Sequence, residues 1–132
     1  FELSPSEIRR HVENITPRAK RGDVFFQRLL GHIYKRGKGV PQDYKTAVKW
    51  YRLAAEQGDA LAQTDLGFMY LTGEGVPSDA VLTHMWGNLA ASNGNTKGAE
   101  LRNFVERMMT QSQIAEAQKL ARECVRKKYK GC

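Results

Sequence analysis

The stretch YKRGKGVPQDYKTAVKW, residues 34–50, returns as YLTGEGVPSDAVLTHMW at residues 70–86. Aligned at an offset of 36 residues, residues 31–58 and 67–94 are identical at 12 of 28 positions. Sequence that recurs at a period of this length is typical of proteins built from stacked supersecondary units. We therefore expect two copies of one structural unit in this chain.

Each copy has the pattern of two helices joined by a turn. In the first copy, Ala47, Trp50 and Ala54 recur at helical spacing and predict one apolar stripe. The glycine–proline segment before them, residues 37–41, forbids a helix, and Asp43 is a typical N-cap. Such a hairpin cannot bury its stripe alone, so the two copies must stack. We predict that this geometry is built by Gly31, Tyr34, Gly37, Gly39, Trp50 and Ala54, and in the second copy by Gly67, Tyr70, Gly73, Gly75, Trp86 and Ala90.

The ends of the chain also have helical patterns. Ser4 to Glu7 and Thr110 to Gln113 have the spacing of capping boxes, which begin helices. Apolar residues at helical spacing predict a buried stripe on each helix near the C-terminus. In the first of them, residues 97–109, the stripe comprises Leu101, Phe104, Val105 and Met108. We expect a single domain, residues 1–132, with an N-terminal capping helix at 1–22, repeats at 23–58 and 59–94, and C-terminal capping helices at 95–132.

The repeated residues resemble those of the Sel1-like repeat family, relatives of the tetratricopeptide repeats with a 36-residue period. The second copy meets the family pattern with Ala62, Leu66, Gly67, Tyr70, Gly73, Gly75, Val76, Asp79, Trp86, Ala90, Ala91 and Gly94, and departs from it at Thr83. The first copy departs at Phe26, where the family has a small residue. The resemblance implies an all-α fold: a short right-handed α-solenoid of antiparallel helix pairs with capping helices at both ends.

Charge is distributed unevenly along the chain, whose formal net charge is +7. Residues 1–58 hold 12 Lys/Arg against 6 Asp/Glu, residues 59–110 hold 3 against 6, and residues 111–132 hold 6 against 2. A nucleic-acid binder usually needs a continuous basic track, which the acidic middle would interrupt. We therefore do not expect nucleic acid as the partner, and the absence of a long apolar run argues against a membrane-spanning helix.

The two cysteines, Cys124 and Cys132, leave two alternatives open. An intrachain disulfide forms if the last helix frays near Tyr129 and Gly131 turns the chain back. Otherwise Cys124 packs as a small apolar residue and Cys132 is a free terminal thiol. A bridged pair would favour an extracytoplasmic compartment, periplasmic or secreted. Neither cysteine has a ligand-spaced partner, so we expect no metal and no cofactor.

Catalytic patterns are not evident. The three histidines, His11, His32 and His84, are far apart, and a packed imidazole is the favoured interpretation of His84. We therefore expect a non-catalytic adaptor. Two alternatives remain: a hydrolase acting on cell-wall or antibiotic substrates, and a basic surface that binds anionic partners, nucleic acid or membrane, through Arg18, Lys20, Arg21 and residues 126–130.

The resemblance places the partner site on the concave side, along the first helix of each pair. The exposed positions there would be Arg28, His32, Lys35, Thr64, Phe68 and Leu71. Phe68 and Leu71 would form an apolar patch that folding does not require, unless the terminal helices cover Phe68. We expect a monomer that binds a protein or peptide, with an acidic partner favoured by the basic first repeat.

Overall fold

The structure, a computed structural model, describes residues 3–132. This part of the chain contains seven α-helices and no strand, which confirms the all-α repeat solenoid. The helices are α1 (Pro5–Lys20), α2 (Val24–Arg36), α3 (Tyr44–Ala55), α4 (Ala60–Thr72), α5 (Ala80–Ser92), α6 (Thr96–Glu106) and α7 (Gln111–Arg126).

Every helix begins at a residue whose side chain accepts a hydrogen bond from a backbone N–H three residues later. Such a cap satisfies one of the N–H groups that the first turn leaves without a partner. Both predicted capping boxes, at Ser4 and Thr110, are confirmed. The caps are Ser4, Asp23, Asp43, Asp59, Asp79, Asn95 and Thr110.

The helices form stacked hairpins. The pairs α2/α3 and α4/α5 pack within themselves, and α3 packs on α4, which joins the two units. Trp86 is fully buried in the main core, while Trp50 packs against a second core cluster formed by α1 and α2. The helices α2 and α3 cross closely at Gly31, because a methyl group added there would lie 2.6 Å from the Tyr51 ring.

Two buried glutamines tie neighbouring units together, and the second repeats the first at the 36-residue offset. Gln27 donates from Nε2 to the Ala19 carbonyl at 3.0 Å, and Gln63 donates to the Ala55 carbonyl at 3.2 Å. Each also accepts from the amide of a later residue: Gln57 donates to Gln27 at 2.8 Å and Asn93 to Gln63 at 3.1 Å. We call this series the amide ladder.

The C-terminal helices complete the stack. The helix α6 packs on both α4 and α5, and α7 packs against α5. Leu101 and Val105 of α6 are buried as predicted. Phe104 and Met108 are not buried: they are 50% and 63% exposed, and Met108 lies beyond Glu106, where α6 ends.

A disulfide joins Cys124 and Cys132, with 5.7 Å between the Cα atoms. The helix α7 ends at Arg126, and Tyr129 and Gly131 both have positive φ, 68° and 70°, so the chain turns back as the bridged alternative requires. The bridged interpretation therefore holds in this structure.

Candidate functional site

The partner site was predicted on α2 and α4, the first helices of the two repeats, and α6 follows α4 in the stack. The middle helix α4 contacts α6 directly. Between α4 and α6 lies a groove of about 480 Å³, which we call the α4/α6 groove. Its lining consists of Phe68, Leu71, Lys97, Glu100, Leu101 and Phe104.

The apolar character of this groove comes from side chains of both helices. Phe68 is 37% exposed, so α6 flanks it without covering it. Leu71 is half-buried and lies one turn along α4. Phe104 of α6 is 50% exposed. Aromatic surface of this kind, exposed to water along a groove, is typical of a recognition site.

Arg28 is less accessible to a partner than we expected from its variable position in the repeat. Its guanidinium Nη1 lies 2.7 Å from Asp59 Oδ1, in a pair of which both side chains are largely covered. The guanidinium also stands over the Phe25 ring, 5.7 Å from its centroid. The ion pair bridges the start of α4 and the middle of α2, so Arg28 links the two repeats.

The prediction that Thr64 is exposed is wrong. Thr64 is buried, and its hydroxyl donates to Asn95 Oδ1 at 2.8 Å. The cause is α6, which packs so closely that a methyl group added at Gly98 would lie 3.1 Å from Thr64 Oγ1. Thr64 therefore holds the cap of α6 in place.

His32 and Lys35 do not join the α4/α6 groove. His32 is exposed and lines a different groove, between α1 and α2. Partial burial, together with the charges of Arg36 and Lys35, lowers its pKa below the usual value. Lys35 is half-buried, and its positive charge acts on Asp65.

Asp65 of α4 is a charged residue that the sequence analysis missed. Burial raises its pKa from 3.8 to about 6, against the opposing effect of Lys35, Arg28 and Lys97. The sequence does distinguish Asp65, because the residues 36 positions before and after it are Leu29 and Leu101. An aspartate at a position where the other units have leucine indicates a carboxyl group that is shielded from water.

His84 is packed, as the sequence suggested. It is buried in α5, and burial lowers its pKa below the usual value. Its Nε2 lies 3.7 Å from Glu106 Oε2, and neither ring nitrogen has a hydrogen-bond partner within the described chain. Among residues 3–132, no group of three His, Cys, Asp or Glu side chains could hold a metal ion. Within the same range, every helix is too short or too polar to span a bilayer.

Stacked helical hairpins that repeat at 36 residues define a solenoid protein of the helical-repeat class. The Sel1 repeat model matches residues 25–59 and 60–95, which is more than half of the chain, and the chain belongs to the Sel1 repeat family. Proteins of this family typically mediate protein–protein interactions and are generally non-catalytic scaffolds.

Two solved bacterial structures are similar to this chain. One is a protective antigen present in uropathogenic Escherichia coli strains that displays an SLR fold: it is 37% identical, with a TM-score of 0.91 over 96% of this chain and 27% of its own. The other is a Sel1 repeat protein from Oxalobacter formigenes, 29% identical, with a TM-score of 0.69 over 74% of this chain and 40% of its own. The chain thus spans less than half the length of either. A search of curated proteins finds no match.

Proposed function

We propose that this protein is a non-catalytic adaptor that binds a segment of a partner protein in the α4/α6 groove. The observation that carries the proposal is the pair of exposed aromatic rings, Phe68 and Phe104, on the two walls of one groove. Neither ring is needed to fill the core, and burying either against a partner would contribute roughly 1 to 3 kcal/mol.

The charges around the groove determine which segment fits. Lys97 and Glu100, one of each sign, stand beside the aromatic rings. Arg28, one of the basic residues of the first repeat that favoured an acidic partner, is already paired with Asp59. The groove therefore favours a segment anchored by an aromatic or aliphatic side chain, with polar residues of either sign beside the anchor.

The disulfide supports an extracytoplasmic site of action. Disulfides persist in oxidising compartments and are rare in the reducing cytosol. We place the protein and its partner in the periplasm or outside the cell, with the protein acting as a monomer.

Phe68→Ser tests the groove. Panning a displayed library of random 12-residue peptides against the immobilised protein should enrich sequences with an aromatic or aliphatic anchor. Their affinity should fall at least tenfold in Phe68→Ser and Phe104→Ser, because each variant removes one apolar wall. Isothermal titration calorimetry measures the change, and Val125→Ser, which alters a side chain that is 52% exposed on α7, is the matched control.

Three results would contradict this proposal. Unchanged affinity in both serine variants would place the binding surface elsewhere. If Phe68→Ser lowers the midpoint of thermal unfolding as much as the substitution of a buried core residue does, the Phe68 ring is needed for folding. A steep loss of binding with added salt would favour the basic-surface alternative, since contacts to anionic partners are screened by salt.

A further inference from the structure

Asp65 lies on α4, with α2 on one side of it and α6 on the other. Phe68, which lines the α4/α6 groove, stands three positions later, one turn along the same face of α4. Lys97 of α6 also lines that groove, and its charge acts on Asp65. Lys35 of α2 acts on Asp65 as well. The Asp65 carboxyl therefore lies at the edge of the α4/α6 groove, towards α2.

The repeat shows what usually occupies the position of Asp65. Its counterpart in α6 is Leu101, which is 3% exposed and packs so closely on α4 that a methyl group added at Gly67 would lie 2.8 Å from Leu101 Cδ2. Leucine thus fills the gap between α6 and α4. In the gap between α4 and α2, Asp65 lies near Tyr51, whose pKa is raised by burial and then by the charge of Asp65. A carboxyl group stands where the next unit has an apolar side chain.

The Asp65 carboxyl has no hydrogen-bond donor of its own. Within the described part of the chain it forms no hydrogen bond and no ion pair, although it is partly buried. Arg28, one of the three cations that act on it, is already paired with Asp59 at 2.7 Å. Lys35 and Lys97 act on it through their charge alone. A partly buried carboxylate without a donor weakens the fold where leucine would not, and a residue of this kind is typical of a functional site.

We propose that Asp65 selects the partner segment by pairing with a lysine or arginine that the segment carries beside its apolar anchor. This inference rests on the proposed function, since the anchor is the side chain that occupies the α4/α6 groove beside Phe68 and Phe104. An ammonium or guanidinium group supplies the N–H donors that the carboxylate lacks, and such charge-assisted hydrogen bonds are stronger than neutral ones. Asp65 is already partly desolvated in the free protein, so the pair forms with less further loss of water.

The surrounding charges are compatible with a cation at Asp65. The charged and titratable groups that act on Asp65 or respond to it are Arg28 and Lys35 of α2, Tyr51 of α3, Asp59 at the start of α4 and Lys97 of α6. The ion pair between α2 and α4 carries no net charge. Lys97 stands one turn before Glu100, which offsets its charge. The remaining cation, Lys35, is half-buried on α2, on the side of Asp65 away from the groove.

The test begins by panning a displayed library of random 12-residue peptides at pH 7, in parallel, against wild type and Asp65→Asn. Both proteins should select an aromatic or aliphatic anchor. Only wild type should also select Lys or Arg at a fixed distance from that anchor. Asparagine keeps the shape of the side chain and removes a partly buried charge, so the variant should be no less stable at pH 7 and a lost preference is not a lost fold.

Synthetic peptides from the wild-type selection give the size of the effect by isothermal titration calorimetry. Replacing the selected arginine with citrulline, or the selected lysine with norleucine, should weaken binding to wild type by about tenfold and leave binding to Asp65→Asn nearly unchanged. Binding of the parent peptide to wild type should also weaken between pH 7 and pH 5, because burial raises the pKa of Asp65 to about 6 and protonation removes its charge. Glu116→Gln, which removes an exposed carboxylate on α7, is the matched control and should change neither result.

Three outcomes would overturn the proposal. Equal selection of Lys or Arg by wild type and Asp65→Asn is the first. Selection of Asp or Glu beside the anchor is the second, and it would assign the preference to Lys35 and Lys97. The third is a preference that Glu100→Gln removes and Asp65→Asn keeps. All three leave the dependence on Phe68 intact, whereas a library without binders, or peptides that bind Phe68→Ser equally well, would contradict the proposed function and this inference with it.

Discussion

Gly73 and Gly75 occupy the same turn in the same backbone conformation, with φ values of 76° and 78°. Their surroundings differ. A methyl group added at Gly73 would lie 3.4 Å from Ser78 Cβ, an ordinary contact, whereas one added at Gly75 would lie 2.5 Å from the Tyr44 carbonyl oxygen. Gly73 is therefore required for its backbone angle alone, and Gly75 for its angle and for the close approach of α3.

Replacing each of these glycines with alanine separates the two effects. Gly73→Ala should lower the free energy of unfolding by about 1 to 2 kcal/mol, the cost of a left-handed conformation for a residue with a Cβ. Gly75→Ala should cost at least about 3 kcal/mol, because the clash with Tyr44 displaces α3. Urea denaturation measures both. Equal losses in the two variants would show that the contact with Tyr44 relaxes freely.

Asp65 should make stability depend on pH. The folded state holds its proton up to about pH 6, whereas the unfolded chain releases it near pH 3.8. The folded pKa is the higher one, so this contribution to stability is complete below about pH 4 and is lost as the pH rises to about 6. Above that range, the fold carries a partly buried charge at Asp65 that weakens it by up to about 3 kcal/mol.

Asp65→Asn, which cannot titrate, measures this effect. Relative to wild type, the variant should be more stable at pH 7 than at pH 4, by an amount on the order of 2 kcal/mol. Chemical denaturation of both proteins at the two pH values gives the difference. If Asp65→Asn and wild type differ in stability by the same amount at pH 4 and at pH 7, then Lys35, Arg28 and Lys97 fully offset the cost of burying the Asp65 carboxylate.

At the scale of the element, the turn after α7 fastens the C-terminus to both repeats. The Gly131 N–H donates to Glu56 Oε2 at 2.9 Å, just after α3 ends. Asn93, just after α5 ends, donates to the Tyr129 hydroxyl at 3.3 Å. The disulfide holds this turn closed, because Cys124 lies inside α7 and Cys132 beyond the turn.

Reduction of the disulfide should therefore destabilise the protein. Opening a loop of eight residues corresponds to about 2.5 kcal/mol in the chain-entropy model. Guanidinium denaturation with and without reductant measures the loss, and a mass increase of about 2 Da confirms the reduced state. Reduced wild type is a cleaner comparison than serine variants, because serine at buried Cys124 would add a desolvated hydroxyl. Identical midpoints would contradict a stabilising role.

At the scale of the whole molecule, the helices and their stacking are predictable because each depends on local rules. A cap, a helical stripe and a glycine–proline turn can each be read within a few residues, and the 36-residue repeat then relates one unit to the next. The predicted capping residue Asp43 is an example, and Asp79 caps the corresponding helix of the second copy. The disulfide was one of two alternatives that the sequence left open, because it depends on how the chain turns at Tyr129 and Gly131.

Exposure along the first helices was less predictable, because it depends on neighbours that lie far away in sequence. Thr64 has the repeat position of half-exposed Arg28 but is buried, since α6 covers α4 more closely than α4 covers α2. Phe104 is apolar at helical spacing yet exposed, because no described helix packs beyond α6. Asp65 shows the reverse, a carboxyl at a position where the other units place leucine.

The amide ladder has a consequence for how such molecules change length. Gln27 and Gln63 make the same hydrogen bonds in successive repeats, so each repeat presents the same donors and acceptors to the next. A tandem copy of residues 59–94 would insert a further repeat whose glutamine hydrogen bonds match those of the repeats before and after it. Lengthening the solenoid by whole repeats therefore needs no new contacts between repeats. Duplication of the DNA that encodes one repeat is sufficient.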